Sequence, residues 1–468
     1  MGAQAAVLLL VFFAQRIILT ALTPEENGTL FLERRLTEMF VGLLADFGMN
    51  GVLLRRAAQE PERRLEIVAS AVWLRIGLWA VTTFAVGAYV VATAGPVIDV
   101  VTWSLFLLIA SRTTLLRYAL EVQHRAASKF ILPSIVSVVD ALLFFCLIWL
   151  YRDQCSPTTV ITLFLISAVP GFLVVAGINR GQALRPSMAR LREMRSLAFE
   201  SLPMVAFILL WGFQDKIDAA ILEMFASRSD VGVLGAAYTS LGPIISLMPQ
   251  TLALVALPEI SRLMSTDSKQ AISLASSLLR FTLLASSILT VVSIALIPAF
   301  IQYVSGGRYN QSTQIFELFV WTAPGIGLLV FTQETLVAMG RQRDTLWIAI
   351  AMLIGTVVGG FALVPIMQVQ GSVIAKLFAS ISGAAVALLV LHRATQKTLE
   401  RGLMLRGFVF IAALVAVSCL LKMLNASALA YLVGVITVVA ISATMLRIIT
   451  NHEISLLWNL VTKARARS

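Results

Sequence analysis

Roughly fourteen apolar stretches, each about 20 residues or longer, run along this chain with only short loops between them. Wound as a helix, a stretch of that length spans the ~30 Å hydrocarbon core of a bilayer and satisfies its own backbone hydrogen bonds without water. Every second loop is basic. Arg55, Arg56, Arg63 and Arg64 follow the second stretch, Arg180, Arg185, Arg190, Arg192 and Arg195 the sixth, and Arg393, Lys397, Arg401 and Arg406 the twelfth. Lys463, Arg465 and Arg467 close the chain. The intervening loops are short and weakly charged, as at Pro24-Glu25-Glu26-Asn27 and Arg152-Asp153. Basic loops stay on the cytoplasmic side, so both termini are expected inside.

Composition agrees. Of 468 residues, 59% are hydrophobic and 13% charged, with a mean hydropathy of +0.89. A net charge of +11 would suggest nucleic acid in a soluble protein. Here most of the 36 lysines and arginines flank apolar stretches, so the positive-inside rule accounts for them and no nucleic-acid partner is expected. The same basic face favours the bilayer's anionic headgroups.

The expected spans are 2–22, 29–53, 67–94, 97–118, 130–151 and 157–179, then 197–223, 231–257, 272–304, 313–339, 345–369 and 371–391, with a final pair at 406–424 and 427–447. Residues 453–468 read as an amphipathic end with Ile454, Leu456, Leu457 and Leu460 on its apolar side. The N-terminus lacks a basic flank and a small-residue cleavage site, so it reads as a first span and not a removed signal. The fold class is all-α. The expected division is a six-helix lobe over 1–195, a second over 196–400, and two added helices with a basic tail over 401–468.

Enzyme chemistry finds little support. Cys146, Cys155 and Cys419 are odd in number and unspaced, and His124, His392 and His452 form no cluster, so neither metal nor disulfide framework is implied. Glycine-rich nucleotide fingerprints are missing, and no loop is large enough for a soluble catalytic domain. No cofactor is expected.

Two segments hint at duplication. Gly28-Thr29-Leu30 opens the second span after a short acidic loop, and Gly232-Val233-Leu234 opens the eighth after Ser229-Asp230. Halves entered from the same side would be parallel repeats, a transporter construction with the substrate site between them.

Charges inside spans are costly, about 2.5–3.5 kcal/mol each on insertion scales, and normally face water or a partner. Arg35, Glu38, Gly42 and Asp46 fall on one stripe of the second span. Arg16, Arg75, Arg112 and Asp140 interrupt other spans, as do Asp215, Lys216, Asp218, Glu317 and Lys376. Two readings stay open. Arg16, Arg35, Arg112, Lys216 and Lys376 line a cationic lumen for an anionic substrate, since the arginine fork suits phosphate. Alternatively these cations pair with Glu38, Asp46, Asp140, Asp215 and Asp218, which are also the candidates for proton or cation coupling.

The segment from Thr23-Pro24-Glu25-Glu26-Asn27-Gly28 to Leu44-Ala45-Asp46-Phe47-Gly48 and Leu54-Arg55-Arg56 resembles the opening of polysaccharide flippases of the Wzx or O-antigen type. These belong to the multidrug/oligosaccharidyl-lipid/polysaccharide exporter (MOP) superfamily. Leu202-Pro203, Asp215-Lys216-Ile217, Val231-Gly232-Val233-Leu234-Gly235, Leu257-Pro258, Gly306-Gly307-Arg308-Tyr309 and Ala338-Met339-Gly340-Arg341 extend the resemblance in order. Thr20 and Thr23 stand where the family often has arginine and glycine, with Arg16 one turn earlier. The resemblance implies two six-helix bundles around a central cavity in a bacterial inner membrane. It implies movement of an undecaprenyl-pyrophosphate-linked oligosaccharide to the outer leaflet for O-antigen, lipopolysaccharide or exopolysaccharide synthesis. A polymerase and a chain-length regulator would be its partners. The alternatives are a cation-coupled exporter of small molecules with the same architecture, or an integral-membrane polymerase or ligase.

Overall fold

The computed structural model of the chain describes residues 2–41, 49–92, 116–126, 131–179, 181–339, 341–395 and scattered positions between 413 and 438. Asp46, Arg112 and the tail 453–468 lie outside the described residues.

All regular structure among the described residues is helical. The helices are α1 (Gly2–Ala21), α2 (Pro24–Val41), α3 (Met49–Gln59), α4 (Arg64–Ala92), α5 (Arg117–Ala126), α6 (Ile131–Leu150) and α7 (Pro157–Ile178). They continue with α8 (Leu191–Phe225), α9 (Arg228–Thr266), α10 (Ser268–Ser305), α11 (Thr313–Val320), α12 (Ala323–Ala338) and α13 (Thr345–Thr395). Five stretches among the described residues are long and apolar enough to cross a membrane: Ile131–Leu150, Pro157–Ile178, Ser268–Ser305, Thr313–Ala338 and Thr345–Thr395.

Local chemistry sets the helix starts. Thr23 and Glu26 form a capping box at α2, with Thr23 N–H donating to Glu26 Oε2 at 2.8 Å and Glu26 N–H to Thr23 Oγ1 at 3.2 Å. Pro24 occupies the first turn, where its missing N–H costs nothing. Ser227 and Asp230 repeat the device at α9, each backbone N–H donating to the other's side chain at 3.2 Å. Thr23, Glu26 and Gly28 thus match Ser227, Asp230 and Gly232 position for position. At α7, Ser156 Oγ accepts from Thr159 N–H at 3.1 Å ahead of Pro157.

One expected span has a different internal form, and two others meet at a break. The 313–339 stretch is two helices, α11 and α12, divided at Trp321-Thr322 just before Pro324. Proline lacks the N–H that a continuous helix requires. The spans 345–369 and 371–391 are two helical arms of α13 that meet at Gln368, with φ 49° and ψ −127°. A methyl group on Gly371 would meet the Leu363 carbonyl oxygen at 2.4 Å, so the two arms pass closely there.

The chain divides into two compact units, Met1–Ala236 with Val304–Arg308, and Ala237–Tyr303 with Tyr309–Ser468. In the first, Leu53 of α3, Val68 and Val72 of α4, Leu120 of α5, Val175 of α7 and Leu197 of α8 form one core. Ala14 and Ile18 of α1 pack with Phe144 and Ile148 of α6 and Val160 and Leu163 of α7 in another. In the second unit α13 packs on α11 and α12. Leu414, in the first of the two added spans, is buried with Leu284, Val291 and Ile294 of α10.

Candidate functional site

Within the first unit, α2 runs alongside α8 and meets the start of α9. The contact begins at a glycine crossing. A methyl group on Gly28 would lie 1.9 Å from the Arg228 carbonyl oxygen, and one on Gly232 would lie 1.7 Å from that of Pro24. Only hydrogen fits at either position, so backbone rests on backbone. Asn27, almost fully buried, donates from Nδ2 to the Gly232 carbonyl at 2.7 Å. One turn on, Gly235 gives room to the Phe31 ring, which a methyl group would meet at 2.6 Å.

One turn further along α2 the charges begin. Arg35 NH1 lies 2.8 Å from Asp215 Oδ2 and 2.9 Å from the Asp215 carbonyl oxygen, and its guanidinium sits 4.9 Å from the Phe31 ring centre. Lys216 Nζ is 2.9 Å from Glu38 Oε2 and 3.8 Å from Asp215 Oδ2. Glu38 Oε1 accepts from Arg34 Nε at 2.8 Å. Arg34, Glu38, Lys216, Asp215 and Arg35 therefore form one unbroken chain of ion pairs across α2 and α8. Arg35 and Lys216 are largely covered, with side chains 13% and 17% exposed, whereas Asp215 and Glu38 keep 40% and 38%. The carboxylates are the more exposed members.

A second ionic contact joins α3 and the start of α4 to α8. Glu193, buried, lies 2.6 Å from Arg56 NH1 and accepts from Arg63 NH2 at 3.0 Å. Arg63 also contacts Glu60 at 2.7 Å and Glu66 at 3.0 Å, and hydrogen bonds to Glu66 and Glu193 raise its pKa above the usual arginine value. Arg190 reaches Glu66 at 3.4 Å. The basic loops that follow the second and sixth spans thus meet at one end of the unit.

The remaining candidates are dispersed. Asp218 is buried one turn from Asp215, its Oδ1 accepting from Ala219 N–H at 2.8 Å. Asp140 on α6 is ion-paired with Arg117 of α5 and abuts Gly171 of α7, where a methyl group would meet its Oδ1 at 2.3 Å. Lys376 is buried in the second unit, its Nζ 5.5 Å from the Tyr238 ring centre. Arg16 is half-buried on α1, its carbonyl accepting from Thr20 Oγ1 at 3.0 Å. Arg35, Lys216, Glu38 and Asp215 are brought together, whereas Asp140 pairs with Arg117.

One buried network escaped the sequence reading. Arg117 Nε meets Glu121 at 2.7 Å, Glu121 meets Arg125 at 2.8 Å, and Arg117 NH2 donates to Ser137 Oγ at 3.1 Å. The signal was present, since Arg117, Glu121 and Arg125 stand four apart on one helical face. α5 carries these residues as helix to Ala126, past the end of the expected span 97–118.

No family model and no curated protein matches the chain. Solved structures do. A structure described as "Lipid II flippase MurJ, inward closed conformation" superposes with a TM-score of 0.72 at 13% identity, covering 95% of this chain and 97% of that one. The likeness is one of fold. An inward-facing multidrug resistance MATE family transporter of the MOP superfamily gives 0.63 at 15% identity, covering 83% of this chain and 94% of that one. An outward-facing MATE conformation gives 0.59 at 15%, covering 84% and 93%. This chain is thus an all-α polytopic membrane protein that shares the fold of these transporters.

Proposed function

We propose that the protein flips an undecaprenyl-pyrophosphate-linked oligosaccharide across the bacterial inner membrane by alternating access, in the synthesis of a surface polysaccharide. The observation that carries this reading is the extent of the structural likeness. The lipid II flippase matches 95% of this chain, and the MATE transporter stops at 83%. The extra length suits a lipid-linked cargo whose tail stays in the bilayer.

The chemistry supports it. A diphosphate-sugar head cannot cross hydrocarbon cheaply, whereas a wet basic groove can carry it while the polyprenyl tail remains in lipid. Arg35 and Lys216 are held by partly exposed carboxylates, so an arriving pyrophosphate can exchange with Asp215 and Glu38 at the same cations. The guanidinium of Arg35 presents two parallel donors to such a group. Arg16, Arg112 and Lys376 complete the proposed cationic path, and Asp46, Asp140 and Asp218 are the candidates for coupling.

In the proposed division, α2 belongs to the lobe 1–195 and Asp215 and Lys216 to the lobe 196–400. The pairs Arg35–Asp215 and Glu38–Lys216 then join the first lobe to the opening helix of the second, within the compact unit Met1–Ala236. Both termini face the cytoplasm, and the polymerase and chain-length regulator act on the product.

The test is deletion followed by complementation. Cells lacking the protein should accumulate a lipid-linked oligosaccharide on the inner leaflet, restored by the wild-type gene and not by Arg35→Ala. An unchanged leaflet distribution, with drug susceptibility altered instead, would support the MATE-like exporter that the second match favours.

A further inference from the structure

The first turns of α8 present a face that the fold leaves uncovered. At 35 residues, α8 is about 52 Å long, well beyond the ~30 Å hydrocarbon core, so one end stands in the headgroup layer. The apolar run begins near Leu197, which puts the Leu191 end there. On one side of this end Glu193, Leu197 and Ser201 are buried against the unit. On the opposite side Leu191, Arg195, Phe199 and Leu202 share one helical stripe, with Arg192 on its flank. Leu191 is 81% exposed and Phe199 63%. The Arg195 guanidinium lies 5.5 Å from the Phe199 ring centre. Just upstream, Arg185 and Met188 are exposed in a segment anchored by the buried Ala183.

The charge on this face is uncompensated. The acidic residues nearby are committed to other arginines: Glu193 to Arg56 and Arg63, Glu66 to Arg63 and Arg190, and Glu200 to Arg56 at 3.8 Å. Arg185 and Arg192 form no ion pair among the described residues, and Arg195 contacts only an aromatic ring there.

We infer that Arg185, Arg192 and Arg195, with Leu191 and Phe199, form a binding surface for anionic phospholipid headgroups of the bilayer. The apolar side chains enter the acyl boundary while the guanidinium groups snorkel to the lipid phosphates. The loop before α8 is thereby tied to the membrane plane beside the Arg56–Glu193 contact. A soluble ligand does not explain Leu191 and Phe199, which no dissolved phosphate would cover. The inference is independent of what the protein carries.

The experiment uses the full chain in nanodiscs of phosphatidylcholine with and without phosphatidylglycerol, reading lipids retained on the released protein by native mass spectrometry. Wild type should keep phosphatidylglycerol preferentially, and each arginine changed to glutamine should weaken that retention by about fivefold. The triple lysine variant R185K/R192K/R195K should keep most of it, and R192E alone should lose more than R192Q. Equal retention by wild type and R185Q/R192Q/R195Q, with unchanged melting temperature, would overturn the inference. Displacement of the lipid by millimolar inorganic pyrophosphate would overturn it as well, by showing a site for free phosphate.

Discussion

One nitrogen of Arg35 serves Asp215 twice, lying 2.8 Å from its carboxylate and 2.9 Å from its carbonyl oxygen. The side chain is thereby fixed to both the backbone and the charge of α8. Such a double hold orients the guanidinium.

Arg35→Ala and Asp215→Asn should therefore part company. Under the proposed function, Arg35→Ala abolishes surface polysaccharide. Asp215→Asn keeps the carbonyl contact and retains measurable transport. The pair is partly exposed and screened, so either change should lower stability by only about 1 kcal/mol. Transport and melting temperature measured on the same preparations check this. Equal loss of both with either substitution would mark the pair as structural alone.

At the glycine crossing no side chain is admissible. Gly28→Ala and Gly232→Ala should each destabilise the protein by about 2–3 kcal/mol, since the new methyl group meets rigid carbonyl oxygens. Gly77→Ala, where nothing lies near the added methyl group, is the control and should be neutral or slightly stabilising. Thermal unfolding in detergent distinguishes them.

Gln368 is the one non-glycine residue with positive φ among the described positions. Gln368→Gly should stabilise the break in α13 by about 1 kcal/mol by removing the strained Cβ. A fall in melting temperature would show that the glutamine side chain itself holds the turn.

Burial, followed by the negative charge of Glu26, pushes the Cys155 thiol up to about 11. The group is a neutral thiol at physiological pH, and thiolate forms only as pH rises toward that value. In a variant with Cys146 and Cys419 replaced by serine, alkylation should be slow near neutrality and accelerate about tenfold per pH unit up to pH 10. A rate that levels off near pH 8.5 would contradict this environment.

Much of the candidate site was legible beforehand, in part. Arg35 and Glu38 stood on one stripe because residues three apart share a helical face, and Asp215 and Lys216 stood together in another span. Which cation would meet which carboxylate was not legible, because that depends on how α2 and α8 are rotated against each other. Arg117 shows the converse limit. Its four-residue spacing to Glu121 and Arg125 was readable, but its pairing with Asp140 on α6 required the helices to be packed.

Hydropathy and loop charge determined the class of this protein by themselves, because a bilayer admits only segments long enough to cross it and apolar enough to stay. The caps at Thr23 and Ser227 were likewise local, written within four residues of chain. Tertiary packing alone decided that Gly28 would lie on Arg228 and Arg35 on Asp215. Those contacts join helices nearly two hundred positions apart, and their geometry follows from the fit of side chains across an interface that no periodicity encodes.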